Sequence, residues 1–309
     1  MTARAAPAPR LLVLGSLLLD DVVHPDGTED LARLGGAALY AAAGAALVGA
    51  RPTACGWVGL DTAARWQEQL PRHGIDPSGL VVREATTPRA WQLLDVHQGR
   101  TEQFQTPWQQ VRANYPTSRE LPDLTAFDGA YLFAPKPVDD YLPALRGRGL
   151  TPITWEPPDD LEDPNGILEQ LRGCDVVVPN ASEWARAFGT DDPQRLAGIA
   201  RAQGARLAAI RQGPAGALLA SATAQVQVAA IQPSRVCDPT GAGNAYAGAL
   251  TAALAGDPGP MDARHLRWLG TLGAAAATVT MEHHGAPVVD DAARSRVITL
   301  VEAALGDAA

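Results

Sequence analysis

The run Asp238-Pro239-Thr240-Gly241-Ala242-Gly243-Asn244-Ala245-Tyr246 leads into an Ala-rich stretch and is built of small residues up to its tyrosine. A helix start carries backbone N–H groups without partners and the positive end of the macrodipole, and small residues let an anion reach both. Gly241, Ala242 and Gly243 are therefore a candidate anion hole. Asn244 beside them can hold a hydroxyl but cannot take its proton at neutral pH. A second candidate is Asp20, which closes Gly15-Ser16-Leu17-Leu18-Leu19-Asp20 after an apolar first strand. Ligands of open α/β sheets bind at the carboxyl ends of the strands, where a carboxylate accepts hydrogen bonds from neighbouring hydroxyls of a sugar. Its plainer alternative is a surface aspartate next to Asp21.

Other motifs have a structural reading as well as a chemical one. In Leu34-Gly35-Gly36-Ala37-Ala38-Leu39-Tyr40 the glycines let backbone approach a ligand, and Tyr40 offers a ring face or packs in a helix. Asn180-Ala181-Ser182-Glu183 reads as a capping box or as a polar pair at a helix start. Arg211-Gln212-Gly213-Pro214-Ala215-Gly216 contains a turn. His283 and His284 are adjacent and so point apart at a helix end, and no third ligand motif accompanies them, which argues against a metal site there. No P-loop and no dinucleotide fingerprint is present.

The elements that position these residues alternate. Leu11–Leu14, Thr53–Val58, Ala130–Phe133, Pro152–Trp155, Asp175–Val178 and Arg206–Ile210 read as strands. Helical patterns lie at Ala37–Val48, Thr62–His73, Val138–Arg146, Ile167–Arg172 and Pro193–Gln203. Such alternation predicts right-handed βαβ units and a mostly parallel sheet covered on both faces. Ala217–Ala220 and Gln225–Ile231 then suggest a hairpin-like antiparallel edge, and Ala242–Ala255, Ala263–Glu282 and Ala292–Leu305 three C-terminal helices. Arg89–Val96 and Arg100–Thr106 alternate apolar and polar residues around His97-Gln98-Gly99, a hairpin standing off the main sheet. Arg89 and Trp91 share one face of it and are expected to reach a ligand, with Gln92 pointing away.

The 309 residues are 46% hydrophobic and carry a net charge of −9, enough for one large core and without the basic footprint of a nucleic-acid binder. Apolar stretches such as Ala37–Val48 are too short to span a bilayer, and Met1–Arg10 has no signal-peptide core, so a cytoplasmic protein with no membrane partner is expected. Cys55, Cys174 and Cys237 have no paired spacing and read as buried free thiols.

Taken in order, these motifs resemble those of the ribokinase-like (PfkB) sugar and nucleoside kinases, whose signature Asp-Thr-x-Gly-Ala-Gly-Asp-x-Phe is matched by Asp238–Tyr246 with Asn244 in place of the catalytic Asp. The resemblance spans nearly the whole chain. Thr86-Thr87-Pro88-Arg89-Ala90-Trp91-Gln92, Trp155-Glu156-Pro157 and the Asn244 motif are similar to a divergent branch that includes the fungal killer-virus maintenance protein. What the resemblance implies is an α/β fold, a ribokinase-like domain over 1–309 with a mostly parallel central sheet, helices on both faces and a small β lid from 20–35 and 89–106. It further implies ATP as phosphate donor to a sugar-like or nucleoside-like alcohol, Asp20, Gly35, Gly36 and Tyr40 at the substrate, and Asn180, Glu183, Arg211, Gly213, Gly216 and His283 around the nucleotide. Mg²⁺ would be organised by Glu183 through water, K⁺ by the loop containing Asp238, and a homodimer would form through the lid. Three accounts of Asn244 stay open, native to an active enzyme, native to a disabled one or an engineered substitution that traps substrate; the alternatives to a kinase are a catalytically weak ligand-binding protein and a different reaction on a phosphorylated sugar.

Overall fold

The computed structural model describes residues 7–96, 99–158 and 160–306. The chain runs β1 (Arg10–Leu14), β2 (Leu18–Val23), β3 (Glu29–Gly35), α1 (Ala37–Leu47), β4 (Arg51–Gly59), α2 (Ala63–Gln69) and β5 (Asp76–Arg83). It continues with β6 (Arg89–Leu94), β7 (Arg100–Phe104), α3 (Trp108–Ala113), β8 (Gly129–Leu132), α4 (Pro137–Asp140), α5 (Leu142–Gly147), β9 (Ile153–Trp155) and α6 (Pro164–Leu171). Then come β10 (Val176–Val177), α7 (Ala181–Phe188), α8 (Pro193–Ala202), β11 (Leu207–Arg211), β12 (Ala217–Ala220) and β13 (Gln225–Val228). Three helices close the described chain: α9 (Ala242–Gly256), α10 (Ala263–Met281) and α11 (Asp291–Gly306).

The strands form a nine-stranded sheet in the order β13-β12-β11-β10-β9-β8-β1-β4-β5. Its pairs are parallel except β11 with β12 and β12 with β13, so the antiparallel edge expected after Ile210 is present. Central strands covered on both faces need apolar residues at every position. In β1, Leu11 and Val13 join the core beneath α1 and α9, while Leu12 and Leu14 join the opposite core with Leu145 and Leu196. The fold is thus α/β, with helices packed on both faces of a mostly parallel sheet.

A second sheet of four strands, β3-β2-β6-β7, stands apart from the first. It joins 20–35 with 89–106, for β2 pairs with β6 in parallel and β6 with β7 antiparallel. The turn residues His97 and Gln98, like Met1–Ala6, lie outside the described residues.

Some expectations needed correction. The helix read at Val138–Arg146 is broken at Tyr141 into α4 and α5, because Pro143 lacks the N–H that a continuous helix would use. β5 was not anticipated; its Asp76-Pro77-Ser78-Gly79 is poor strand sequence but lies at a sheet edge, where proline is tolerated. Cys55 and Cys174 are buried free thiols, whereas Cys237 is half-buried. No helix among the described residues is long and apolar enough to cross a membrane.

Helix α1 has every residue buried, and it packs on α9 through small residues. A Cβ on Gly248 would stand 1.9 Å from the Ala41 carbonyl oxygen, and one on Gly44 2.2 Å from that of Ala245. Backbone meets backbone here, so nothing soft can yield. Gly248→Ala is expected to lower the unfolding free energy by about 1–3 kcal/mol, as overpacking does, and urea denaturation would show it as a lower midpoint.

Candidate active site

The carboxyl ends of the parallel strands bring four polar residues and a phenylalanine into one place. Ser16 follows β1, Phe133 follows β8, Glu156 follows β9, Asn180 follows β10 and Arg211 ends β11. All of them line a cavity of about 200 Å³ at the start of α9. Gly241 is the residue before that helix, in the left-handed region at φ 74°, and no side chain caps it. Its first N–H groups therefore keep no helical partner, and the helix dipole adds a positive field. Both flanking glycines are demanded by close approach: a Cβ on Gly241 would lie 2.0 Å from the Tyr40 ring and one on Gly243 2.1 Å from Arg211 Nη1.

The second sheet closes the cavity from the other side. Residues of a strand alternate between faces, and the register puts Asp20 beside Ala90 and Gln92 opposite Glu102 on the cavity face. Asp20, Gln92, Arg100, Glu102 and Phe104 line the cavity together. Gln92 Nε2 donates to Asp20 Oδ1 at 2.9 Å and to Glu102 Oε1 at 2.7 Å. Arg89 and Trp91 consequently face away, which overturns their expected contact with a ligand and that of Gln92 with the outside. Arg89 Nε donates instead to Asp21 Oδ2 at 3.1 Å, where Gln105 also donates at 2.6 Å. Asp21 is held below the usual carboxylate range: burial opposes this, and the hydrogen bonds from Arg89, Ala32 and Gln105 outweigh it. The parity of the strand decides between two adjacent aspartates, giving one to the cavity and one to an ion pair. Gly35 leaves room for Asp20, whose Oδ2 would be 1.8 Å from a Cβ there, while Gly36 and Tyr40 line the cavity as expected.

Asn244, one turn into α9, is not alone. Its Nδ2 donates to Glu156 Oε1 at 3.1 Å and lies 3.3 Å from the Tyr131 hydroxyl. That hydroxyl donates to Glu156 Oε2 at 2.6 Å, and Arg211 Nη2 stands 2.7 Å from Glu156 Oε1. Glu156 is 3% exposed. Burial alone would make Arg211 easier to deprotonate, but the negative charges of Glu156 and Glu183 hold its pKa above the ordinary arginine value. Tyr131 is held well above the ordinary phenol value, by burial first and by Glu156 second. The sequence reading did not include Glu156 among the site residues. A single carboxylate directly after the apolar Ile153-Thr154-Trp155 strand, at the sheet edge where ligands bind, was the available signal.

A second cavity, of about 400 Å³, adjoins the first and shares Asn180, Arg211, Pro239 and Gly243 with it. Gly213 and Gly216 form its rim, and Ile231, Ala274 and Met281 give it an apolar wall. Asn180 is the N-cap of α7, its side chain accepting from Ser182 N at 2.9 Å, and Glu183 in the first turn lines the smaller cavity. His283 is exposed, with Nδ1 2.7 Å from the Val279 carbonyl oxygen, and it lines neither cavity. The expectation that it touches a nucleotide is corrected: the helix end it terminates turns it outward.

Asp238 also differs from expectation. It is 1% exposed, and Arg33 Nη2 reaches to 3.3 Å from its Oδ2. The residues do not fit a free monovalent cation at that carboxylate, because a guanidinium already meets its charge. Among the described residues no group of three or more His, Cys, Asp or Glu side chains is arranged to hold a metal ion.

Comparison with known proteins agrees with this geometry. Residues 157–291 match the model of the pfkB family carbohydrate kinases. A cytidine kinase of Thermococcus kodakarensis is 26% identical over 249 residues, 78% of this chain and 87% of the relative. The nucleoside kinase of Burkholderia thailandensis, solved with inosine, superposes with a TM-score of 0.74 at 18% identity, covering 96% of this chain and 98% of that one. Fructokinase of Xylella fastidiosa with bound ATP gives 0.75 at 18% identity, with 95% and 98% covered. At such identities the structural likeness establishes the fold.

Burial raises the Asp20 carboxyl to about 7, with the Gln92 hydrogen bond pulling down and Glu102 pushing up. The folded chain thus keeps a proton on Asp20 that the unfolded chain loses above about pH 4. Bound protons are then in excess in the folded state, and the Asp20 contribution makes stability fall as pH rises between about 4 and about 7. Asp20→Asn removes that contribution. Urea unfolding at about pH 5 and about pH 8 is expected to find the variant more stable than the parent at the higher pH and closer to it at the lower. No gain at the higher pH would contradict the buried-charge assignment.

Proposed function

We propose that this ribokinase-like chain transfers the γ-phosphoryl group of ATP to a hydroxyl of a sugar or nucleoside. The observation that carries the reading is the uncapped start of α9, which opens at the junction of a polar cavity and an apolar one. Phosphoryl transfer through a loose transition state calls for alignment and charge neutralisation more than for covalent chemistry from the protein. The N–H groups of Gly241 and Gly243 at this helix start would stabilise the developing anion, Ala242 N donating to the Pro239 carbonyl oxygen at 3.3 Å, and the buried Arg211 guanidinium lies beside Gly243. Asn244 holds the attacking hydroxyl, and Asp20 with Gln92 grips the substrate's other polar groups. The aromatic side chains of Tyr40, Phe104, Trp108 and Phe133 line the same cavity and suit a flat base or a sugar ring.

Glu183 beside a single amide, Asn180, suits Mg²⁺, which keeps most of its water and takes one or two carboxylates. Magnesium there would neutralise phosphate charge. The second sheet acts as the lid, shielding the reacting groups from water. Its exposed Leu31 and Leu93 offer an apolar surface through which two copies would pair.

The relatives named above act on nucleosides and on sugars, and the test is a panel of both with ATP and Mg²⁺. Transfer to at least one member is expected. Gly243→Val, whose side chain would displace Arg211, should lower turnover by about 10²–10³-fold, the usual effect of losing one anion-stabilising group. A folded variant with unchanged turnover and ATP affinity would sink the anion-hole assignment.

A further inference from the structure

If Asn244 holds the attacking hydroxyl, something else must take its proton, since an amide does not. The carboxylates around the polar cavity are not equivalent. Asp20 and Glu102 belong to the second sheet and share Gln92. Asp238 is occupied by Arg33. Glu183 lies in the first turn of α7 and also lines this cavity, but beside Asn180, where the phosphotransfer reading places Mg²⁺. Glu156 alone of these is joined to Asn244, by the 3.1 Å hydrogen bond, and it lines the same cavity. A carboxylate oxygen would repel an amide oxygen, so this contact also orients the amide, with Nδ2 facing Glu156 and Tyr131.

We propose that Glu156 is the proton acceptor, a carboxylate placed at the end of β9 doing what the signature otherwise assigns to position 244. The inference rests on the phosphotransfer reading above. In the step, the substrate hydroxyl oxygen forms a bond to the γ-phosphorus and the bond from that phosphorus to the β,γ-bridging oxygen breaks. The bridging oxygen keeps the electron pair, releasing the nucleoside diphosphate. The hydroxyl proton passes to the Glu156 carboxylate and from there to water. A carboxylate paired with Arg211 suffices as acceptor because a loose transition state asks for little early deprotonation. Arg211 touches both the carboxylate and the start of α9, so its charge serves Glu156 at rest and the phosphate as negative charge develops there.

The test uses the full chain and whichever substrate of the panel it phosphorylates. Glu156→Gln should lower kcat by about 10²–10⁴-fold, the usual contribution of general-base catalysis, without weakening ATP binding measured by calorimetry. The acid limb of the kcat/KM pH profile should vanish with it. Asn244→Asp alone would set two carboxylates against each other and should lower turnover. The double variant N244D/E156Q restores one base facing one amide and should exceed Glu156→Gln at least tenfold, by roughly the lower part of that same range. A purely structural Glu156 would give no such recovery. Should Glu156→Gln not fold, Glu156→Ala with added formate reads the same chemistry, with activity rising with formate in support and no rise overturning the proposal. Glu156→Gln turning over within about threefold of the parent, or a folded double variant no better than the single one, also overturns it while leaving the kinase reading intact. Absence of transfer by the parent to any sugar or nucleoside overturns both.

Discussion

Helix α9 lies so close to α1 that neither Gly44 nor Gly248 has room for a methyl group, and this approach governs where the rest of the site can be. It sets the first turn of α9 against the ends of β8, β9 and β11, between Tyr40 on one side and Arg211 on the other. A bulkier pair of helices would hold the free N–H groups further from the strand ends. The dipole at the start of α9 matters because it is uncapped, and it stays uncapped because Gly241 and Gly243 offer no side chain that could turn back on it.

Around that point the chain buries several charges, and each has a specific answer. Glu156 faces Arg211, Asp238 faces Arg33, Asp21 faces Arg89, and Asp20 accepts from the neutral Gln92, with the Arg100 charge lowering its pKa from further off. Removing one partner of a buried pair leaves an uncompensated charge, so the first three are held together by mutual need. Asp20 is the exception, its carboxyl raised to about 7 chiefly by burial. The two cavities differ accordingly: the one with Asp20 and Glu156 is ringed by charge, while the one beyond Arg211 has an apolar wall.

The helix of small residues at 242–256, the parallel strands and the antiparallel edge were all legible in the sequence, because period and composition are local properties. So were the turn at Gly213–Gly216 and Asn180 as a cap. Adjacent residues in the second sheet were misassigned for a definite reason. Arg89, Trp91 and Gln92 alternate visibly, yet alternation says which residues share a face and not which face meets the cavity; the pairing of β6 with β2 decides that.

What the sequence by itself determined is therefore the class of fold, the small-residue helix start at Gly241–Gly243 and the presence of Asn at position 244. Only the tertiary structure decided what stands around that amide. Glu156 and Asn244 are 88 residues apart, and Arg211 reaches Glu156 and the neighbouring Gly243 from a third strand end. No local pattern encodes such a meeting: it follows from the order of strands in the sheet, β11-β10-β9-β8, which is set by packing across the whole core. The same holds for Arg33 against Asp238, where a strand of the second sheet delivers a guanidinium to a loop some two hundred residues away in the chain.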